Sequence, residues 1–349
     1  MKAGVLYKNE SHLKIEDVSV PEMGLNDVKL DVKCCGVCGS DIHMTIHKQV
    51  RLKYYPCILG HEASGVVKEV GENVTKFKKG DRVVVSSGLG CGTCKYCLAG
   101  RHNLCAQVEV LGYRMNGAFA EQVVIHERHL NLLPSEIPFD QGAILADAVS
   151  TPYHALKFVG RIQEGDVVAI YGCGGLGIHA VILARALGAS KVIALDVDKG
   201  ALENAGRYKA NELVDLKAVK HSGKTLRELT DGVDLMLDFS GHYSNVEDCV
   251  RAMNPSGRMV IAGIGKNPLQ VNFPFMLIDR SISIAGSLGC DSRAIPELID
   301  LYMSGKLDLS TSITSHHPLE DVNDCLEDLY HRKGNPIRFI ITPNGSIKS

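Results

Sequence analysis

Cys91, Cys94, Cys97 and Cys105 stand in the spacing C-x2-C-x2-C-x7-C within the fifteen residues "CGTCKYCLAGRHNLC". The residues between them are polar and turn-forming, which argues against four unrelated core cysteines. Four thiolates fill a tetrahedral shell around zinc and leave no position for a substrate, so this cluster reads as a structural zinc site. An iron–sulfur cluster takes the same ligands and is the alternative.

Reactive chemistry then needs a second constellation. "CGVCGSDIHMTIH" (35–47) and "GHEASGVV" (60–67) hold Cys38, Asp41, His43, His47, His61 and Glu62, on segments that read as loops and strand ends. Cys38 and His61 are suitable zinc ligands, and an open catalytic site requires a third. His47 reads as a surface loop residue, with a place in proton transfer as the alternative.

A third motif binds a different group. "GCGGLG" places Gly172, Gly174 and Gly177 in G-x-G-x-x-G spacing, with Gly175 and Leu176 inside the same turn. The strand-like "DVVAIYG" precedes it, the helical "IHAVILARALGAS" follows, and "KVIALDVD" then ends near Asp196. Glycines there let backbone approach a pyrophosphate at a helix N-terminus, and the acid accepts from an adenine-ribose hydroxyl. A carboxylate at Asp196 repels a 2′-phosphate, which favours NAD over NADP. Lys191 and Lys199 are expected nearby and would soften that preference, and Asp198 competes for the ribose role.

Elements must position these groups. Up to about residue 150 the chain is dense in short β-type runs ("AGVLY", "DVKLDVKCCGV", "ASGVVKEVG", "DRVVVSS", "AFAEQVVIH") punctuated by Gly, Pro, Asn and Asp. This predicts an antiparallel barrel or sandwich with loop insertions. From residue 166 strands and helices alternate, with apolar strands at 232–241, 258–265 and 281–289 and a helix at 245–254. That alternation predicts a parallel doubly wound sheet. The tail carries an amphipathic helix at "AIPELIDLYMSGKL" and a strand at 337–342, expected to return to the first domain.

Bulk properties narrow the function. A chain of 349 residues suggests two domains. A formal net charge of −2 gives no electrostatic reason to expect nucleic acid or an anionic membrane as partner. The N-terminus shows no signal-peptide pattern and no long apolar run occurs, so a cytoplasmic, reducing location is expected. In that compartment twelve cysteines point to metal ligation and small buried residues rather than disulfides.

With "GVCGSD" (36–41), "GHEASGVV", the four-cysteine lobe, "GCGGLG" and "NPIRFII" (335–341) together, the chain resembles the zinc-containing medium-chain alcohol/polyol dehydrogenase family over essentially its whole length. The resemblance implies an α/β protein: a GroES-like β-barrel catalytic domain (1–150), a Rossmann domain (151–289) and a C-terminal segment (290–349) rejoining the first. It implies Cys38 and His61 as catalytic zinc ligands. The third ligand, a cysteine in many alcohol dehydrogenases, is matched here by Asp147, as in polyol and secondary-alcohol members. Glu62 would lie behind His61 or exchange with a ligand, and Asp41 would orient His61. Ser40 and His43 match the proton-relay hydroxyl and imidazole. Thr151 would lie by the nicotinamide and Arg338 near the pyrophosphate, with a structural salt bridge as the alternative for Arg338. A homodimer or homotetramer with two zinc ions per chain is implied.

The activity implied is reversible hydride transfer between a secondary alcohol or polyol and NAD. A zinc-free quinone reductase has no use for Cys38, His61 and the cysteine lobe. A non-catalytic zinc- or dinucleotide-binding regulator has no use for a relay hydroxyl beside an open metal. Loops 43–57, 110–117 and 265–295 are expected to line the substrate pocket. Arg51, Lys53 and Arg114 are the candidate contacts for a phosphorylated substrate.

Overall fold

The computed structural model describes residues 1–243, 246–271 and 274–345. The chain divides into two compact units, Met1–Ser150 with Cys290–Ser349, and Thr151–Gly289.

The first unit is organised by the strand Asp27–Val37. Val28, Leu30 and Val32 point into the core while Lys29, Asp31 and Lys33 alternate outward, the period-two pattern of a half-buried strand. It pairs antiparallel with Glu62–Val70, with Gln122–His126 along its first half, and with Phe339–Ile341 at its end. The sheet continues through Arg82–Val85 and Leu130–Leu132 on one side and Ser315–His317 on the other. A three-stranded sheet of Lys14–Asp17, Lys2–Leu6 and Cys57–Ile58 accompanies it. Between Val32 and Cys34 the register slips against Glu62–Val70, and beyond it Cys34, Cys35 and Val37 are all buried. A bulge of this kind bends a strand and re-aims its side chains. It leads directly into Cys38.

Two elements here were not expected from sequence. Gly39–Thr45 is a helix rather than a loop. Seven residues are too few to show a hydrophobic period, and its signal is the cap: Asp41 Oδ2 accepts the Cys38 N–H at 2.9 Å. The helix Phe139–Ile144 runs into a π-helical turn, Leu145–Val149, which carries Asp147. The tail helix Ala294–Met303 packs on this turn, and Tyr302 Oη donates to Gln141 Oε1 at 2.9 Å.

The second unit is a six-stranded, wholly parallel sheet. Its spatial order is Glu212–Asp215, Lys191–Asp196, Val167–Tyr171, Val233–Asp238, Met253–Ile261, Ser283–Gly286. The direction of winding reverses between Val167–Tyr171 and Val233–Asp238, which makes this a Rossmann sheet with its switch point beside the glycine turn. Val168, Ala169, Ile170, Ile193 and Leu235 are fully buried, as strands covered on both faces require. The expected helix at 245–254 is Val246–Ala252, and Asn245 lies outside the described residues. Among the described residues no helix is long and apolar enough to cross a membrane.

Candidate functional site

Strand end, cap and π-turn converge in the first unit. One ligand atom from each of Cys38, His61, Glu62 and Asp147 lies within 4.8 Å of the others. Asp147 Oδ2 is 3.5 Å from Cys38 Sγ and 3.4 Å from His61 Nε2. On the far side of the ring, His61 Nδ1 faces Asp41 Oδ1 at 3.5 Å. That carboxylate is itself held by the Cys38 N–H, so it orients the imidazole with Nε2 toward Cys38 and Asp147. Ser40 Oγ lies 3.3 Å from His61 Nε2.

Behind these groups sits a buried ion pair. Arg338, 2% exposed, donates from Nη1 to the Val37 carbonyl at 2.9 Å and faces Glu62 Oε1 at 3.5 Å. This is the salt bridge that the sequence allowed as an alternative; the structure shows Arg338 turned to Glu62. The pair has a steric requirement: a Cβ on Gly36 would overlap Glu62 Oε2. Burial pushes the Glu62 carboxyl up to about 7, Arg338 draws it back, and Asp147 adds to the rise. Neither oxygen of Glu62 has a hydrogen-bond partner, nor has Asp41 Oδ1 or His61 Nδ1. Buried polar atoms are nearly always satisfied. The unpaired Glu62 oxygens, gathered with Cys38 Sγ, His61 Nε2 and Asp147 Oδ2, fit a borderline-soft divalent cation such as zinc.

Cys91, Cys94, Cys97 and Cys105 also come within 4.8 Å of one another. The lobe is closed by Gly88–Leu89 pairing with Glu109–Val110 and contains the short helix Lys95–Leu98. Backbone N–H groups aim at the sulfurs: Cys94 to Cys91 at 3.4 Å, Cys91 to Cys105 at 3.4 Å, and Gln107 to Cys105 at 3.3 Å. The Thr93 hydroxyl, with the N–H groups of Thr93 and Cys94, draws the Cys91 thiol down to about 5. Burial pushes Cys97 up to about 12. Donors already pointed at sulfur favour thiolates, the form that binds metal.

In the second unit the glycine turn joins Val167–Tyr171 to the helix Gly177–Ala186. Gly172 adopts φ +82°, and a Cβ there would come within 2.8 Å of the Ser240 nitrogen. A Cβ on Gly177 would overlap the Gly172 carbonyl. Gly174 accepts the Ile178 N–H at 2.9 Å, Gly175 O meets His179 Nδ1 at 2.6 Å, and Leu176 caps the helix. Such a bare turn fits a dinucleotide pyrophosphate. Asp196 ends its strand, as expected, but both oxygens already accept backbone N–H groups, from Cys173 at 2.6 Å and Asp198 at 2.8 Å. Asp198 is the cap of the next helix, accepting the Ala201 N–H at 2.8 Å. Lys191 corrects an expectation: it begins the strand that Asp196 ends, roughly 16 Å away along the chain direction. There it pairs with Glu212 at 3.0 Å.

Other candidates have more local partners. Lys53 pairs with Glu109 at 2.8 Å, and Arg114 donates to Val108 O at 3.2 Å. Thr151 is buried in the helix Ser150–His154. His47 is exposed, and its Nδ1 lies 3.1 Å from His43 Nδ1. Tyr113 was foreseen only as part of a loop. Its ring stands edge-on to His61, centroids 5.2 Å apart. Burial raises its phenol well above the usual range, so it stays protonated beside Ser40, its hydrogen-bond partner.

Residues 24–135 match the alcohol dehydrogenase GroES-like domain, and residues 175–304 the zinc-binding dehydrogenase domain. The sorbitol dehydrogenase of Bacillus subtilis (strain 168) is 30% identical over 352 residues, covering 99% of this chain and 98% of that protein. The D-xylulose reductase A of Aspergillus niger is 32% identical over 339 residues, covering 94% and 93%. The crystal structure of the alcohol dehydrogenase of Aeropyrum pernix superposes with a TM-score of 0.87 at 33% identity, covering 98% and 100%.

Because Gly36 makes room for Glu62, Gly36→Ala should lower the free energy of unfolding by about 1–3 kcal/mol, the usual cost of overpacking. Urea denaturation measures it, with Gly39→Ala as control, since a Cβ there meets nothing within 4 Å. Equal midpoints for the two variants would show that Glu62 is not confined.

Proposed function

Because the chain belongs to the zinc-containing medium-chain alcohol and polyol dehydrogenase family, we propose that it interconverts a secondary alcohol or polyol with its ketone at the Cys38 centre. The balance is alcohol plus NAD⁺ to ketone plus NADH plus one proton. The observation that carries this reading is the grouping of Cys38, His61 and Glu62 with an acid, Asp147, rather than with another thiol. Relatives named as a sorbitol dehydrogenase and a D-xylulose reductase support a polyol or secondary alcohol as the substrate class.

Cys38 Sγ, His61 Nε2 and Asp147 Oδ2 would hold the catalytic zinc, with Glu62 behind as an exchanging carboxylate. A zinc ion bound there supplies a Lewis acid that lowers the pKa of an alcohol hydroxyl. The chain's own groups do the rest. Asp41 keeps the His61 ring turned, Ser40 Oγ takes the hydroxyl proton, and His43 carries it onward. Tyr113, its phenol kept neutral by burial, is a hydrogen-bond partner of Ser40. Hydride acceptance is the nicotinamide's own chemistry. Gly172, Gly174, Gly175, Leu176 and Gly177 would seat the pyrophosphate, Asp196 the adenine ribose, and Thr151 the nicotinamide.

The four-cysteine lobe would hold a second, structural zinc. All twelve cysteines are free, in keeping with a reducing, cytoplasmic compartment. Assembly into dimers or tetramers belongs to the same reading. The helix Pro274–Arg280 packs Met276 and Leu277 partly onto the core but leaves Phe275 and Ile278 70% and 76% exposed.

Metal analysis of the purified protein should return about two zinc ions per chain, as one closed and one open site imply. Cys38→Ala and Asp147→Ala should each abolish turnover of a polyol panel followed by NADH absorbance. Each should leave about one zinc and a folded chain that still binds NAD. Unfolding of both variants would make the centre structural, and retained turnover would move the chemistry elsewhere.

Asp196→Ala tests cofactor choice by fluorescence titration. Affinity for NADH should fall about tenfold, the size of one lost charge-assisted hydrogen bond, while affinity for NADPH falls less. Equal losses would show that Asp196 serves only to fasten the turn at Cys173.

A further inference from the structure

Alcohol oxidation at the Cys38 centre brings a proton as far as His43. Resting on that catalytic reading, we propose that His47 is the next carrier, so that the proton reaches solvent across two imidazoles. The two Nδ1 atoms lie 3.1 Å apart, with ring centroids 5.2 Å apart and planes tilted by 44°. At that distance only one of the two nitrogens carries a proton, and the other accepts it.

The local chain holds this geometry although His47 itself is exposed. Residues four apart on a helix share a face, and His47 follows directly on the helix Gly39–Thr45 and its capping residue Ile46. Its N–H donates to Ile42 O at 3.0 Å. Lys48 then turns through φ +51°, and Gln49 N returns to His43 O at 2.8 Å. On the outer side the ring meets the edge of Tyr330, centroids 5.4 Å apart, from the helix Val322–Tyr330. The other titratable groups on that side are Glu327 and His331, 3.6 Å from each other, and His12, 3.7 Å from Glu327. Lys48 Nζ is spent on Asn9 O at 2.6 Å. His47 is thus held from both sides, with its Nδ1 committed to His43.

The step balances without any redox change. His43, on gaining a proton, breaks its Nδ1–H bond as His47 Nδ1 forms one, and the His47 imidazolium gives its Nε2 proton to water. Both rings then re-equilibrate their tautomers with solvent. His47 touches neither substrate nor cofactor, so it acts through His43 as a positioning and carrier residue.

The test uses the zinc-loaded enzyme, a secondary alcohol that it oxidises, and a pH indicator in a stopped flow under weak buffer. In His47→Gln the rate constant for proton release should fall about tenfold, the lower range for loss of a positioned proton carrier. Added imidazole should restore it, which a merely structural defect would not allow. His43→Gln should be at least as slow, and the double variant no slower than His43→Gln, since both act on one path. In metal-free protein, ¹⁵N spectra of the His43 ring should change on His47→Gln if the two nitrogens share a proton. Release at the wild-type rate in His47→Gln, or a slow release that imidazole does not restore, overturns the proposal and leaves the catalytic reading standing. A wild-type enzyme that oxidises no alcohol overturns the catalytic reading instead.

Discussion

Too much negative charge is gathered where water is scarce, and the first unit is built around that constraint. Asp41 and Glu62 are fully buried, Cys38 nearly so, and Asp147 closes on Cys38 and His61 from the π-turn. Two like charges 4 Å apart repel by about 4 kcal/mol at an effective dielectric of 20. One fixed cation, Arg338, faces the group, and its guanidinium is directed at Glu62 and the Val37 carbonyl. The carboxylates of Asp41, Glu62 and Asp147, gathered beside Cys38 and His61, are better satisfied with a further cation among them. A divalent cation answers the whole arrangement at once, whereas protons would each sacrifice a ligand.

This constraint explains the path of the chain. Arg338 comes from the far end of the sequence, and it arrives because Phe339–Ile341 pairs antiparallel with Cys35–Val37. That register sets Phe339 against Val37 and so brings Arg338 within reach of the Val37 carbonyl. Gly36 lies in the same stretch and leaves the volume that Glu62 fills. The bulge beyond Val32 buries successive residues and delivers Cys38 to the cap of its helix, where Asp41 both holds the main chain and steers His61. Each device is modest alone. Together they hold acids in place before any metal arrives, which makes the site selective for a cation.

What the sequence revealed divides along local and distant interactions. The cysteine lobe and the glycine turn were legible because their function resides in spacing: a few residues close a shell or bare a backbone. The parallel sheet was legible from unbroken apolar strands. Asp147 entered only through family resemblance, since no local pattern links it to Cys38 or His61. The helix Gly39–Thr45 escaped because about two turns carry no clear period, and with it went the face that joins His43 to His47. Lys191 was misplaced because nearness in sequence is not nearness in a strand: five extended residues carry it to the opposite end of the sheet from Asp196. Tyr113 gave no signal beyond its loop, for an aromatic edge against a histidine is settled by packing.

The two ligand sets differ in what restrains them, and that difference assigns their roles. In the cysteine lobe backbone N–H groups aim at the Cys91 and Cys105 sulfurs, with the neutral Thr93 hydroxyl as the added side-chain partner of Cys91. Around Cys38 the restraints are themselves ionisable: Asp41 on His61, Arg338 on Glu62, Tyr113 on Ser40. Restraint by non-titrating groups keeps the sulfurs in place whatever the state of their neighbours, which suits a staple. A shell held by titratable partners responds to each proton that enters or leaves. The helix widens at Leu145–Val149, where it presents the Asp147 carboxylate, and again at Ala155–Val159, where no acid is carried. Asp147, carried on the first of these turns, is the member of the Cys38 group that comes from farthest along the chain, and the catalytic role proposed for the group rests on it.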